Sequence, residues 1–154
     1  MVPMLRAYAA SDLDGLTRLI VTTLAEFGFA PDMGGLEADL AAIAERYAAP
    51  RGTFVIAELD GHIAGSVAIR ARSDDPDVCE LKRLYVSPFA RGHGLGQRLY
   101  EHAESFARAA GYERIWLDSS RRFTAARRLY EKNSFVLIEE LDNDWEDSVY
   151  EKRL

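Results

Sequence analysis

Apolar and polar positions follow two different periods along the chain, and the changes of period define its elements. Leu5–Tyr8 has the composition of a strand. Ser11, followed three positions later by Asp14, has the spacing of a helix N-cap, and apolar residues recur at helical spacing as far as Phe27. A second helix is predicted from a further set of apolar positions: Leu36, Leu40, Ile43 and Tyr47.

The middle of the chain predicts three consecutive strands. Thr53–Leu59 is rich in strand-forming residues. Asp60-Gly61 after it is a strong hairpin signal, because a type I′ turn needs positive φ at both central residues. His62–Arg72 is predicted as the returning strand of this hairpin, and Val78–Val86 follows after a polar turn.

The last third of the chain predicts two helices, a short strand and a closing pair of strands. Apolar residues from Leu95 to Ala110 lie on one helix face, and Gly111 ends that helix. The remaining elements are a strand at Arg114–Asp118, a helix capped by Thr124, and antiparallel strands at Phe135–Leu141 and Ser148–Arg153. The order β-α-α-β-β-β-α-β-α-β-β predicts a single mixed α/β domain over residues 1–154, with a central sheet.

Composition narrows the class of protein without identifying its chemistry. The chain has 154 residues, of which 48% are hydrophobic and 29% charged, an ordinary globular mixture. Its net charge of −6 argues against nucleic acid as a partner. No apolar run is long enough to span a bilayer, and we read no signal peptide, so a cytoplasmic location is expected. A homodimer is left open.

Cysteine and histidine offer little chemistry of their own. Cys79 is the only cysteine, so an internal disulfide is excluded, and a buried strand cysteine is favoured over a nucleophile. The histidines show no metal-ligand spacing: His62, His93 and His102. We therefore expect no metal.

The most informative segment runs from Leu84 to Leu99. An apolar strand leads into a bend that contains Gly92, Gly94 and Gly96, and the bend leads into an amphipathic helix. Glycines leave the backbone N–H groups accessible, and the N-terminus of the helix adds positive potential, so this segment has the character of a phosphate cradle.

Two kinds of nucleotide-binding motif do not fit this segment. A P-loop needs G-x-x-x-x-G-K-[ST], which the chain lacks. A dinucleotide fingerprint needs a third glycine three positions after the second, where this chain has Gln97 or Leu99. A nucleotide-binding protein is therefore disfavoured.

The pattern that remains is R-x-x-G-x-G at Arg91, Gly94 and Gly96, directly after L-x-V-x-P from Leu84 to Pro88. It resembles the coenzyme A-binding motif of the GNAT-type N-acetyltransferases, and the similarity is specific from about Val78 to Phe135. It implies a mostly antiparallel central sheet flanked by helices and splayed between strands 4 and 5. The residues implied to bind the cofactor are Leu84, Tyr85, Val86, Arg91, Gly92, His93, Gly94, Leu95, Gly96 and Tyr130.

The resemblance also implies an activity. Acetyl-CoA would be the co-substrate, and a primary amine of a small molecule or peptide would attack it directly, since no nucleophile is evident. A non-catalytic acyl-CoA-binding regulatory module is the alternative.

Tyr130 is the candidate general acid. The family motif A-x-x-L-Y-x-x-x-G-F is matched at Ala126, Leu129, Tyr130 and Phe135, with Ser134 where glycine is usual. In the family this tyrosine protonates the coenzyme A thiolate. The alternative is a core tyrosine with a hydrogen-bonded hydroxyl. At the end of the helix we expect Asn133 to take the left-handed conformation.

Glu80 is the candidate general base, since a carboxylate on the fourth strand is frequent in the family. In a regular strand it would share a face with Lys82 and Leu84, and a bulge would disturb this alternation. The alternatives are an exposed strand residue paired with Lys82 or Arg83, and a reaction without a dedicated base.

Weaker candidates lie in other segments that border the site in the family. Asp118, Ser119 and Ser120 end the fifth strand beside the cofactor arm. Others lie in segments that line the acceptor side: Glu26, Asp32, and the acidic loop Asp142–Asp147 with Trp145. For this second group a solvated surface role is favoured.

Overall fold

The computed structural model describes residues 2–35 and 37–154, which form a seven-stranded sheet in the order β1-β2-β3-β4-β5-β7-β6. The strands are β1 Met4–Ala7, β2 Thr53–Leu59, β3 His62–Ala71, β4 Val78–Val86, β5 Arg114–Ser120, β6 Val136–Glu140 and β7 Asp147–Arg153. The helices are α1 Leu13–Glu26, α2 Ile43–Arg46, α3 Leu95–Ala109 and α4 Thr124–Lys132. The predicted element order and the mixed α/β class are confirmed.

All neighbouring strands are antiparallel except β4 and β5, which are parallel. These two strands pair at only three positions, from Val78 with Arg114 to Glu80 with Trp116. Beyond Glu80, β4 stays paired with β3 as far as Val86 but leaves β5. The predicted splay between strands 4 and 5 is therefore confirmed, and it opens a cleft in the middle of the sheet.

Each face of the sheet has its own apolar core. On one face α3 packs against β2, β3 and β4, and Leu95, Leu99 and Ala103 are almost completely buried. On the other face α1 and the segment before β2 pack against the sheet. This core contains Leu16, Ile20, Tyr47 and Phe54. The cleft at the splayed ends of β4 and β5 is lined by residues of both cores, such as Leu81 and Leu24.

The first helix has a different cap from the one predicted. Asp12, not Ser11, occupies the N-cap position of α1, and its side chain makes no capping hydrogen bond to that helix. Its carboxylate instead accepts a hydrogen bond from the Ala9 N–H at 2.8 Å, in the 3₁₀ turn Ala10–Asp12 before α1, and is also held by Arg6.

The second predicted helix is much shorter than its apolar spacing indicates. A 3₁₀ segment at Ala38–Ala42 leads into the four residues of α2, and Leu36 lies outside the described residues. Tertiary contacts of the buried Asp39 hold this segment, so helical propensity does not determine its conformation.

Two boundaries of α4 also differ from prediction. The helix begins at Thr124, and Phe123 occupies the N-cap position. At its end Ser134 is left-handed with φ +70°, whereas Asn133 has φ −95°. Asn133 keeps its ordinary conformation because its side chain is engaged: the amide donates to the Leu129 carbonyl at 2.8 Å and to Gln97 at 2.8 Å.

Candidate active site

The loop between β4 and α3 forms the predicted cradle. Gly92 and Gly94 have φ +82° and +76°, a region that side chains disfavour, and a Cβ at either would meet open space. Gly96 has a different role, because its Cβ would lie 3.4 Å from Leu129 on α4. The long helix α3 begins directly after Gly94, which has no side chain to cap the first N–H groups of the helix, so these remain available to an anion.

Arg91 braces this loop instead of extending freely into it. Its Nε donates to the Val86 carbonyl at 3.0 Å, and its Nη2 donates to Glu26 on α1 at 2.9 Å. The hydrogen bonds from Arg91 lower the pKa of Glu26. Glu26 therefore ties α1 to the cradle.

A cavity of about 360 Å³ extends from the cradle between α1, α3 and α4. Most of the predicted cofactor residues line it, namely Leu84, Tyr85, Val86, Arg91, Gly92, Gly94, Leu95 and Gly96. His93 is exposed and outside the lining, with its Nδ1 2.8 Å from the Arg91 carbonyl oxygen. Phe123 and Leu129 complete an apolar wall.

A smaller cavity of about 140 Å³ occupies the cleft between β4 and β5. Its lining shares Leu84, Tyr85 and Phe123 with the larger cavity, so the two compartments adjoin. The other residues of its lining are Leu24, Glu37, Leu81, Lys82, Arg83, Asp118, Ser119, Ser120, Tyr130, Trp145 and Asp147.

Tyr130 lines this cleft, and its side chain is 4% exposed. Burial raises its pKa, the proximity of Tyr85 and Asp118 adds to the increase, and the Ser119 hydroxyl partly offsets it. The hydroxyl is therefore protonated at neutral pH and can act as a proton donor. Its ring also packs against Phe135 and Tyr150, so Tyr130 belongs to the core and to the cleft at once.

Glu80 is outside the cleft. Its carboxylate accepts a hydrogen bond from Arg70 at 3.2 Å and lines a separate surface depression with Arg46 and Ser73. Glu80 lies where β4 and β5 are still paired, before the splay begins. The structure therefore does not bring the two predicted catalytic residues, Tyr130 and Glu80, into one cavity.

A bulge in β4 explains why the predicted alternation fails. The β3–β4 register shifts between Ser66 and Ala68, and Arg83 has φ +58°. Leu84 consequently packs on the α3 core, whereas Glu80 pairs with Arg70 on the face of the α1 core. The bulge, not a regular strand, determines which side chains reach the cleft.

The bulge is held from both sides by buried polar contacts. On β3 the Ser66 hydroxyl donates to the Arg83 carbonyl at 2.7 Å. From the 3₁₀ segment Ala38–Ala42, Asp39 accepts a hydrogen bond from the Arg83 Nε at 3.0 Å, and Glu37 before this segment lies 3.6 Å from the Arg83 Nη1. Sequence reasoning missed this network, and two adjacent basic residues in the strand L-K-R-L-Y-V give no signal that one of them is buried with a partner.

The acidic loop contributes to the cleft, contrary to the favoured solvated role. Trp145 stacks on Phe29 with ring centroids 4.4 Å apart, and both Trp145 and Asp147 line the cavity. Burial raises the pKa of Asp147; Asn143, Arg121 and Lys82 act against this increase, and Asp118 adds to it. By contrast, Asp32 is exposed and outside the lining.

The remaining candidates behave as structural residues. Cys79 is buried, and burial raises the pKa of its thiol to about 12, which suits a core residue and not a nucleophile.

Within residues 2–35 and 37–154, no cluster of His, Cys, Asp and Glu could hold a metal ion. In the same part of the chain, no helix is long and apolar enough to cross a membrane.

Comparison with known proteins agrees with this geometry. The family model described as acetyltransferase (GNAT) matches residues 17–135. An uncharacterized N-acetyltransferase of Escherichia coli, YjgM, is 30% identical over 140 residues, which cover 89% of this chain and 84% of that protein.

Solved structures of other proteins have the same fold. An acetyltransferase from Streptococcus agalactiae is 28% identical and has a TM-score of 0.86 over 100% of this chain and 99% of that chain. The PaiA N-acetyltransferase from Thermoplasma acidophilum, solved in complex with coenzyme A, has a TM-score of 0.79 at 21% identity over 100% of both chains.

Proposed function

Since the chain belongs to the acetyltransferase (GNAT) family of acyl-CoA-dependent N-acetyltransferases, we propose that it transfers the acetyl group of acetyl-CoA directly to a primary amine bound in the β4–β5 cleft. The observation that carries this proposal is the junction of the two cavities at Leu84, Tyr85 and Phe123. A compartment with an anion cradle therefore meets a compartment with a buried phenol, as the reaction requires.

The chain's own residues fit the cofactor. The open space at Gly92 and Gly94 leaves room for phosphate oxygens beside backbone N–H groups, and the β4–β5 splay leaves the β4 backbone free on one side. Bound acetyl-CoA supplies an activated thioester. Transfer forms the C–N bond of the amide, breaks the C–S bond, removes one proton from the amine and delivers one to the sulfur.

Tyr130 supports the last of these proton movements. Its hydroxyl is buried, protonated at neutral pH and next to the junction of the cavities. A thiolate that leaves in a water-poor site needs such a donor. Arg91 has a bracing role in this account, because Glu26 and the Val86 carbonyl already engage its guanidinium.

Two carboxylates, Glu80 and Asp147, are candidates for the base that accepts the proton of the amine. Glu80 is engaged by Arg70 and would act only through a chain of water molecules. Asp147 lines the cleft itself, and the charged groups that surround it are Lys82, Asp118 and Arg121. We therefore propose Asp147 as the proton acceptor in place of Glu80.

The two carboxylates can be separated by their pH profiles. Asp147→Asn should lower kcat/KM about 10²-fold at low pH, where the amine is charged and needs a base, and much less at high pH. Glu80→Gln, the matched control, should leave the profile within about twofold of wild type. The reverse pattern would assign the base to Glu80, and flat ratios for both variants would mean that no dedicated base exists.

The cradle has its own matched pair of variants. Gly94→Ala should weaken coenzyme A binding about tenfold in calorimetry, because the new Cβ enters the space that a phosphate needs. Gly111 at the far end of α3 is also left-handed, with φ +87° and open space around it. Each substitution places a side chain at a left-handed position and should therefore lower the free energy of unfolding by roughly 1 kcal/mol. Gly111→Ala should nevertheless bind coenzyme A normally. Equal dissociation constants for the two variants would move the phosphate site elsewhere.

A screen of acetyl-CoA turnover over a panel of amines tests the proposed function. Amine-dependent release of thiol is the expected result. Tight coenzyme A binding with no turnover for any amine would instead favour the non-catalytic regulatory module.

A further inference from the structure

Lys82 is a half-buried cation in the lining of the cleft, and its ammonium is available to bind a ligand. Among the described residues 2–35 and 37–154, its ammonium forms no ion pair within 4.0 Å and no hydrogen bond. Its neighbour Arg83 is bound to Asp39 and Glu37, and Lys152 is bound to Glu104. An unpaired ammonium that lines a cavity is available to a ligand, and its charge points to a ligand of opposite charge.

The position of Lys82 excludes the phosphates of the cofactor as that ligand. The cradle glycines and Lys82 belong to different cavities, and Lys82 is absent from the lining of the larger one. The partner of Lys82 must therefore be part of the acceptor.

The other wall of the cleft has the opposite charge. Asp147 at the start of β7 and Asp118 on β5 both line the cavity, and neither forms an ion pair among the residues that the structure describes. The Lys82 ammonium is near enough to Asp147 to act on its pKa, so the two charges share one small space. Trp145, Phe123 and Leu24 add an apolar side.

From this arrangement we infer that the acceptor is a small amino acid, a molecule with a primary amine and a carboxylate, whose carboxylate binds Lys82 while its amine lies beside Asp147. The inference rests on the proposed function and names the substrate class of the same site. A zwitterion neutralises both walls at once, whereas a simple amine leaves Lys82 unpaired and a diamine places a second cation beside it.

Matched acceptor series test this inference. Wild-type protein is assayed with amino acids, with the corresponding α-carboxamides, and with the corresponding amines that lack the carboxyl group. We expect kcat/KM to be about 10- to 100-fold higher for the acids, the worth of a hydrogen bond to a charged group. This ratio is measured on the wild type and depends on no variant's folding.

Variants then assign the preference to Lys82. Lys82→Met should bring the acid-to-amide ratio of kcat/KM close to one, chiefly by raising KM for the acids. Lys82→Arg should retain most of the preference. Lys132→Met, at an exposed lysine near the end of α4, should behave as wild type.

The outcomes separate the two proposals. Equal turnover of acids, amides and simple amines would overturn this inference and leave the proposed function standing, as would a preference that survives in Lys82→Met. Turnover of no amine in any series would overturn both.

Discussion

Tyr130→Phe should lower kcat about 10²-fold while acetyl-CoA binds within about twofold of wild type. The substitution keeps the ring and its contacts with Phe135 and Tyr150, and removes only the hydroxyl that lines the cleft. Because burial raises the pKa of this phenol above its ordinary value, it retains its proton across the neutral range. The loss should therefore be similar across the neutral range.

A second buried tyrosine gives the control for this prediction. Tyr100 is 1% exposed, and its hydroxyl donates to Glu104 at 2.7 Å, away from both cavities. Tyr100→Phe should lose about 1–2 kcal/mol of stability with kcat unchanged. If Tyr130→Phe behaves in this way too, Tyr130 is a core residue and the general-acid assignment is wrong.

Asp39→Ala should destabilise the protein by about 3–5 kcal/mol, because it leaves the buried Arg83 guanidinium without its main partner. The effect should exceed that of an exposed pair by a wide margin. Glu140→Ala removes the exposed partner of Arg127, at 3.3 Å, and should cost less than about 1 kcal/mol. Urea unfolding at neutral pH measures both variants.

The same pair predicts the response to acid. Burial opposes the charged form of Asp39, but the hydrogen bonds and charge of Arg83 outweigh it, and the pKa of Asp39 is lowered. A carboxyl group with a lowered pKa stabilises the fold above its unfolded value of about 3.9 and loses that contribution as pH falls below it. Wild type should lose stability in that acidic range, and Asp39→Ala should lose less. Equal pH dependence of the two proteins would contradict the role of the pair.

Local sequence patterns predicted most of the fold. The predicted bounds of β2 and β4 agree with the structure at every residue, because runs of strand-forming residues end there at turns. The splay of the sheet was implied by the motif around Arg91, and the short β4–β5 ladder confirms it. The cradle likewise depends on consecutive residues, so its position could be predicted from sequence.

The composition of the cleft could not be predicted in the same way. Lys82 and Asp147 are far apart in sequence and share a cavity only because β4 and β5 separate and β7 pairs with β5. The bulge at Arg83 depends on Asp39 in another segment, so periodicity along β4 alone assigned Glu80 and Leu84 to the same face. Such long-range contacts override local alternation.

The most direct test of the central claim follows the acetyl group itself. Purified protein is mixed with acetyl-CoA that carries an isotopic label in the acetyl group, together with the amine that gives the fastest thiol release in the screen, and the products are identified by mass spectrometry. Direct transfer predicts one labelled N-acetyl product for each thiol released, with no label on the protein when the acceptor is omitted. Label that accumulates on the protein, or that appears only as free acetate, would contradict it.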